Sequence, residues 1–297
     1  MKINRFEDAS QFYERVKDYL LNHEALHNVL LARCNALIHN PERFDEKPYL
    51  ATVEVDGDIV AVAMRVPPRN LLLSKIQDFR AIEAMLQQGA AQRAIAQDIR
   101  LTQELLPGIN APTAEAKAFA ETWHSLTGQS YHLKMALRAF QLEQVQVIPK
   151  TTGHFRLATQ SDREFLIPWF EAFALEALGI VEPGVEPTVE RHLQRGSAYI
   201  WEDKTPVSMA CHIRVTPNGA AVSLVYTPPE HRRKGYASAC VAALSQTLLN
   251  QGHRYCFLFT DLANPTSNHI YQAIGYQPVG DLFEYSFIEN TAVDATA

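Results

Sequence analysis

V-S-L-V-Y-T-P-P-E-H-R-R-K-G-Y-A-S-A, Val222 to Ala239, changes character twice in one short stretch. Val222 to Tyr226 is an apolar run of strand formers. Pro228 and Pro229 have no amide hydrogen and end the ladder. A basic turn, Arg232-Arg233-Lys234, then meets Gly235, and the small residues Ala237, Ser238 and Ala239 open a helical pattern. The spacing predicts strand, loop, helix. The amides of Gly235, Tyr236 and Ala237 would be first-turn donors without intrahelical partners, with the positive end of the helix dipole behind them, an arrangement that suits a phosphate. Taken alone, the same residues also fit a solvated basic turn before an ordinary helix.

The downstream sequence decides between these readings. His253 to Thr260 is a buried-type strand, followed by N-P-T-S-N-H-I-Y-Q-A-I-G-Y, Asn264 to Tyr276. Asn264 can cap a helix that Pro265 starts and Gly275 ends. Ser267 and Tyr271 fall on one face of that helix. The chain has neither a Walker loop nor a G-x-G-x-x-G fingerprint. It carries R-x-x-G-x-[GA] as Arg232, Gly235 and Ala237, then N-x-x-x-x-x-x-Y-x-x-x-G-[FY] as Asn264, Tyr271, Gly275 and Tyr276.

Two such motifs in this order resemble the GNAT superfamily of acetyl-CoA-dependent N-acyltransferases. The resemblance implies an α/β (α+β) fold with a mixed, mostly antiparallel sheet flanked by helices. It assigns Val225, Tyr226 and Thr227 to backbone contacts with the pantetheine arm of acetyl-CoA. It gives Arg232, Arg233, Lys234, Gly235, Tyr236, Ala237 and Ser238 to the pyrophosphate, Asn264 and Ser267 to the cofactor-facing helix, and Tyr271 to general-acid catalysis.

Composition sets the outer bounds. A chain of 297 residues, 47% hydrophobic, is long enough for two cores. A net charge of -6 with a pI near 6.0 argues against nucleic-acid binding. No apolar run is long enough for a membrane span, and the first residues lack a secretory signal. Cys34, Cys211, Cys240 and Cys256 have no metal or redox spacing and read as reduced thiols of a cytoplasmic protein, with no metal site expected.

The first half reads as helix (Ser10 to Leu37), hairpin about Asp56-Gly57 (Tyr49 to Val55, Ile59 to Val66), short strand (Leu71 to Leu73), helical region (Asp78 to Leu106, interrupted near Gly89), helix within Ile109 to Gly128 and strand (Tyr131 to Phe140). The second half has Phe155 to Ala158, a helix opened by S-D-R-E (Ser161 to Glu164) with Pro168 predicting a kink, and a hairpin about Asp203-Lys204. Asn218-Gly219 then turns into the organising strand. Phe165, Trp169, Phe170 and Phe173 are candidates for core or for the wall of an acceptor pocket. The order of elements suggests a diverged repeat, although an unrelated α/β domain would also fit the first half. If it is a repeat, it lacks the arginine motif and has Ala118 where the second half has Tyr271. With Gln144 to Gly153 as linker, the expected domains are 1–145, a degenerate GNAT-like domain without a cofactor site, and 146–297, a GNAT acetyltransferase domain. This resembles bipartite glycine N-acyltransferase-like proteins.

The implied reaction is direct transfer of an acetyl group to the amine of a small-molecule or peptide acceptor through a tetrahedral intermediate, with acetyl-CoA as co-substrate. Glu230, Asp261, Glu284 and His212 are the candidate bases, and none is singled out by spacing. A covalent route through Cys211 or Cys240 is disfavoured, because neither has a basic partner by spacing. A non-catalytic acyl-CoA-binding regulator is the alternative on the same fold.

Overall fold

Asp8 is the first residue whose local chemistry fixes an element: its carboxylate accepts the Gln11 amide at 2.8 Å and opens a helix. In the computed structural model, which describes residues 1–76, 89–101, 106–146, 150–179 and 184–288, the chain runs β1 (Lys2–Arg5), α1 (Ala9–Leu21), α2 (Glu24–His39), β2 (Tyr49–Val55), β3 (Asp58–Arg65), β4 (Leu71–Leu73), α3 (Ala90–Arg100), β5 (Gly108–Pro112), α4 (Thr113–Thr127) and β6 (Ser130–Leu142). The same succession then recurs as β7 (His154–Leu157), α5 (Arg163–Leu178), α6 (Glu186–Gln194), β8 (Ala198–Asp203), β9 (Thr205–Val215), β10 (Gly219–Tyr226), α7 (Tyr236–Asn250), β11 (Tyr255–Asp261), α8 (Pro265–Ile274) and β12 (Gln277–Ile288). The diverged repeat suggested by pattern is present as a repeat of elements, in mixed, mostly antiparallel sheets flanked by helices.

Contacts divide the chain into Met1–Arg138 with Gly280–Ala297, and Ala139–Val279. This differs from the continuous boundary expected at 145/146, because the closing strands are exchanged. In the first unit the order β1-β2-β3-β4-β5 is completed by β12, antiparallel to β5 with Leu282 opposite Pro112 and Ser286 opposite Gly108. In the second, β7-β8-β9-β10-β11 is completed by the end of β6. The side chains follow the exchange. Tyr285 and Phe287 of β12 sit in the first unit's core with Phe119 and Trp123, and Phe140 and Leu142 of β6 sit in the second's with Leu244, Leu258 and Tyr276.

Several expectations are refined. The single helix expected over Ser10 to Leu37 is two, broken at Asn22-His23. Phe12, Val16, Tyr19 and Leu20 are buried on the first helix and Leu26, Leu30, Leu31 and Leu37 on the second. The capping box lies two residues earlier than expected. Thr159 and Asp162 make it, the Asp162 carboxylate taking the Thr159 amide at 2.7 Å while Arg156 grips both carboxylate oxygens. α5 runs through Pro168. The hairpin at Asp56-Gly57 forms with both residues at positive φ, as a tight two-residue turn requires. β1 and α6 carry too weak a pattern to have been read from sequence. Residues 78–88, 102–105 and 147–149 of the expected helical region and linker lie outside the described residues.

In the first unit, the backbone just after β4 is fastened by buried side chains. The Lys75 amide donates to His27 Nε2 and the Ile76 amide to Glu115 Oε1, both at 2.9 Å, and the Tyr19 hydroxyl donates to the Lys75 carbonyl. His27 Nδ1–H donates to the Leu20 carbonyl at 2.9 Å. Both ring nitrogens are therefore committed in the neutral form, and burial pushes the imidazole down to about 4.

Two outcomes follow from this architecture. A fragment of residues 146–297 lacks Phe140 and Leu142, each 0% exposed, so it should melt without a cooperative transition, whereas 139–279 should melt cooperatively; calorimetry of both fragments checks this. Because His27 titrates lower folded than unfolded, the unfolded chain binds the extra proton first as pH falls. Its contribution, about 3 kcal/mol from a shift of roughly 2.5 pH units, is present above pH ~6.5 and lost between there and pH ~4. Urea midpoints from pH 7.5 to 4.5 should fall more steeply for the wild type than for His27→Gln.

Candidate active site

β10 pairs with β11 in parallel only through Gly219, Ala220 and Ala221, opposite Tyr255, Cys256 and Phe257. Beyond that point no ladder joins the two strands, and the cause lies in β10 itself. Its pairing with β9 slips between Ser223 and Tyr226, and Leu224 stands at φ 53°, a left-handed conformation costly for a side chain of its size. The bulge separates the last residues of β10 from β11 and leaves an edge of backbone between them. Val225 and Thr227, two of the residues expected to contact a ligand arm, are half-buried on that edge, and Tyr226 is buried. Ser208 Oγ ties the bulge down, donating to the Tyr226 carbonyl at 3.2 Å and sharing a hydrogen with Thr227 Oγ1 at 2.9 Å.

The loop that follows ends where the sequence predicted. Gly235 precedes α7 at φ 83°, and a Cβ built there would meet only Thr151, at 3.9 Å, leaving space on the open side. Among the described residues, the amides of Arg233 to Ser238 have no protein acceptor, and no side chain caps the helix. These consecutive N–H groups at a helix N-terminus form a concave donor set, which fits a diphosphate. Arg233 and Lys234 are exposed beside it, without an ion pair among the described residues.

Side chains from elsewhere in the unit hold the cradle in shape. The Tyr236 hydroxyl and Thr152 Oγ1 both donate to Asp203 Oδ2 at 2.6 Å, Thr151 Oγ1 donates to the Lys234 carbonyl at 3.0 Å, and Trp201 Nε1 donates to the Thr152 carbonyl at 2.8 Å. Tyr236 thus offers the cradle its amide while its ring is buried. Arg232 is engaged: its Nε donates to the Thr227 carbonyl at 2.9 Å and its Nη2 to both oxygens of Glu176.

Across the parted strands, α8 starts as expected. Asn264 accepts the Ser267 amide at 3.0 Å, so that side chain is committed to capping. Asn268, not singled out from sequence, locks the helix to the end of β11. It donates to the carbonyls of Asp261 and Asn264 at 3.1 and 2.8 Å, and it accepts from Thr260 Oγ1 at 2.7 Å. Two turns on, the half-buried Tyr271 packs edge-on against Tyr276 with its ring centre 6.1 Å away. Among the described residues its hydroxyl has no hydrogen-bond partner, and burial pushes it from the ordinary phenol value of 10 up to about 12.

The candidate bases are not gathered at the cleft. Glu284 lies in the first unit, paired with Lys134 at 2.9 Å. Asp261 accepts the Ala263 amide in a turn, Glu230 is exposed on the loop, and His212 packs beside Tyr199 on the neighbouring strand. Burial raises the Cys211 and Cys240 thiols far above their usual range, which leaves neither as a thiolate nucleophile. Among the described residues no group of three or more His, Cys, Asp or Glu could hold a metal ion, and no helix is long and apolar enough to cross a membrane.

Comparison with known proteins agrees with this geometry. The FR47-like protein family model matches residues 202–285, which contain the bulge, the cradle and α8. A GNAT-family acetyltransferase from Colwellia psychrerythraea has a TM-score of 0.58 at 14% identity, over 97% of this chain and 100% of that one. The chain has the GNAT fold. A Drosophila protein gives a TM-score of 0.64 at 11% identity, covering 97% of this chain and 99% of its own. A tandem GNAT protein from the clavulanic acid biosynthesis pathway gives 0.53 at 11%, covering 97% and 98%. No curated protein matches the chain in sequence. Within that fold, the second repeat of this chain carries the strand bulge, the donor cradle and the phenol of Tyr271.

Gly235→Val should therefore remove diphosphate binding in two ways, by filling the open side of the cradle and by straining a backbone held at positive φ. Ligand at ~100 times its dissociation constant should raise the stability of the wild type by about 2.7 kcal/mol. Thermal melts with and without CoA should show this shift in the wild type and none in the variant.

Proposed function

We propose that this chain is an acetyl-CoA-dependent N-acetyltransferase whose second repeat holds the cofactor and whose acceptor is an amine. The observation that carries the reading is the co-occurrence of three features in one unit: an edge of backbone at the Leu224 bulge and, among the described residues, unpaired amides at the start of α7 and an unpartnered phenol on α8.

Acetyl-CoA, when bound, supplies an activated acyl group on a thiol leaving group. The amides of Arg233 to Ser238 would hold its diphosphate, with Arg233 and Lys234 adding positive charge. The open edge of Val225 to Thr227 would take the pantetheine arm in strand fashion and aim the acyl carbonyl at the amine. A backbone N–H on that edge would receive the negative charge that develops on the carbonyl oxygen. Tyr271 would give its proton to the departing sulfur, while the proton lost from the attacking nitrogen passes to water and a proton from solvent restores the phenol. In the first repeat the backbone after β4 is bonded to His27 and Glu115, which supports one cofactor site per chain.

Tyr271→Phe isolates the chemical role. With no hydrogen bond to lose, the variant should keep its melting temperature and its acetyl-CoA affinity while turnover falls by roughly 10²-fold or more. CoA release from acetyl-CoA with a panel of amines, amino acids and peptides identifies the acceptor and then measures the variant; full turnover would remove Tyr271 from the mechanism.

A further inference from the structure

Arg232 already has an anion of its own. Its Nη2 donates to both carboxylate oxygens of Glu176, near the end of α5, at 2.8 Å each. Its guanidinium carbon lies 5.8 Å from the centre of the Tyr226 ring. Trp169, also on α5, lies 6.0 Å from Tyr226 between ring centres, and Phe165 lies 4.9 Å from Trp169. A carboxylate beside electron-rich ring faces is how proteins bind organic cations. The cation held there belongs to the chain.

The tie is easily exchanged. Arg232 and Glu176 are 42% and 49% exposed, and such pairs contribute little and are screened by salt. The unpaired amides begin at the next residue, Arg233. A diphosphate seated on them would carry more charge than Glu176 and offer several acceptor oxygens to the planar guanidinium.

We propose that Glu176, Tyr226 and Trp169 form a cation subsite for the acceptor, filled by Arg232 in the free protein and vacated when a diphosphate draws that side chain to the cradle. The proposal rests on the cradle being the cofactor's diphosphate site. It names the acceptor class, an aliphatic amine carrying positive charge, and its order of binding, after the cofactor. Glu176 is a positioning residue in this scheme, and its loss has opposite effects on the two ligands.

Calorimetric titrations of the full chain test it. CoA should bind Glu176→Gln about three- to five-fold more tightly than wild type, because Arg232 is released in advance. Linear diamines of three to five carbons should bind the CoA-saturated wild type, should not bind the CoA-free wild type, and should bind CoA-saturated Glu176→Gln at least about ten-fold more weakly. Unchanged or weaker CoA binding by the variant would overturn the exchange. Diamine binding that ignores CoA or Glu176, or no diamine binding to the CoA-saturated wild type, would overturn the subsite. Failure of wild type to bind CoA at all is a separate result, and it would refute the cofactor reading itself.

Discussion

The site depends on one leucine held where leucines rarely stand. Leu224 in the left-handed region costs about 1–2 kcal/mol, and an unconstrained strand would relax it by continuing its ladder with β11. Its neighbours prevent this. Leu224 packs against the core cluster formed by Leu166, Phe170 and Met209, Tyr226 is buried in the same cluster, and Ser208 fixes the carbonyl at the end of the strand. The core on one face thus offsets strain whose product is an unpaired backbone edge. In a sheet such an edge would ordinarily be a liability, and here it is short, internal to the sheet and flanked by the donors of α7.

Electrostatics then divide the labour between backbone and side chain. The chain is acidic overall, and its cradle draws on oriented amides, which need no counter-ion and lose little freedom on binding. The side chains around it work on geometry: Asp203 collects two hydroxyl donors and so fixes the first residue of α7, while Thr151 secures the carbonyl of Lys234. Asn268 does the corresponding work for α8, and with it for Tyr271. A phenol is protonated at neutral pH without any partner, and that of Tyr271 lies outside this network.

What was legible in the sequence is what short-range chemistry determines. Pro228-Pro229, Gly235 and the Asn264-Pro265 start each act on the residues beside them, and each appears where its local preference puts it. The Leu224 bulge has no such signature, since leucine has no preference for positive φ and its conformation is set by partners far along the chain. Asp203 with Tyr236 and Glu176 with Arg232 are likewise pairings of distant residues. The assignment of Arg232 to the cradle came from a motif, which specifies a residue type and is silent on where the guanidinium points. The exchange of closing strands is illegible for a related reason: β6 and β12 have ordinary strand patterns, and nothing in a strand pattern names the sheet that receives it.

The exchanged strands also impose a timetable. β12 is synthesised after every other strand of the first unit, so that sheet waits for Tyr285 and Phe287 long after its other strands have emerged. The second unit, Ala139–Val279, is contiguous and begins with the strand that closes it. During synthesis the half made second therefore has all of its parts before the half made first, and the exposed edge of β5 is open to mispairing throughout that interval.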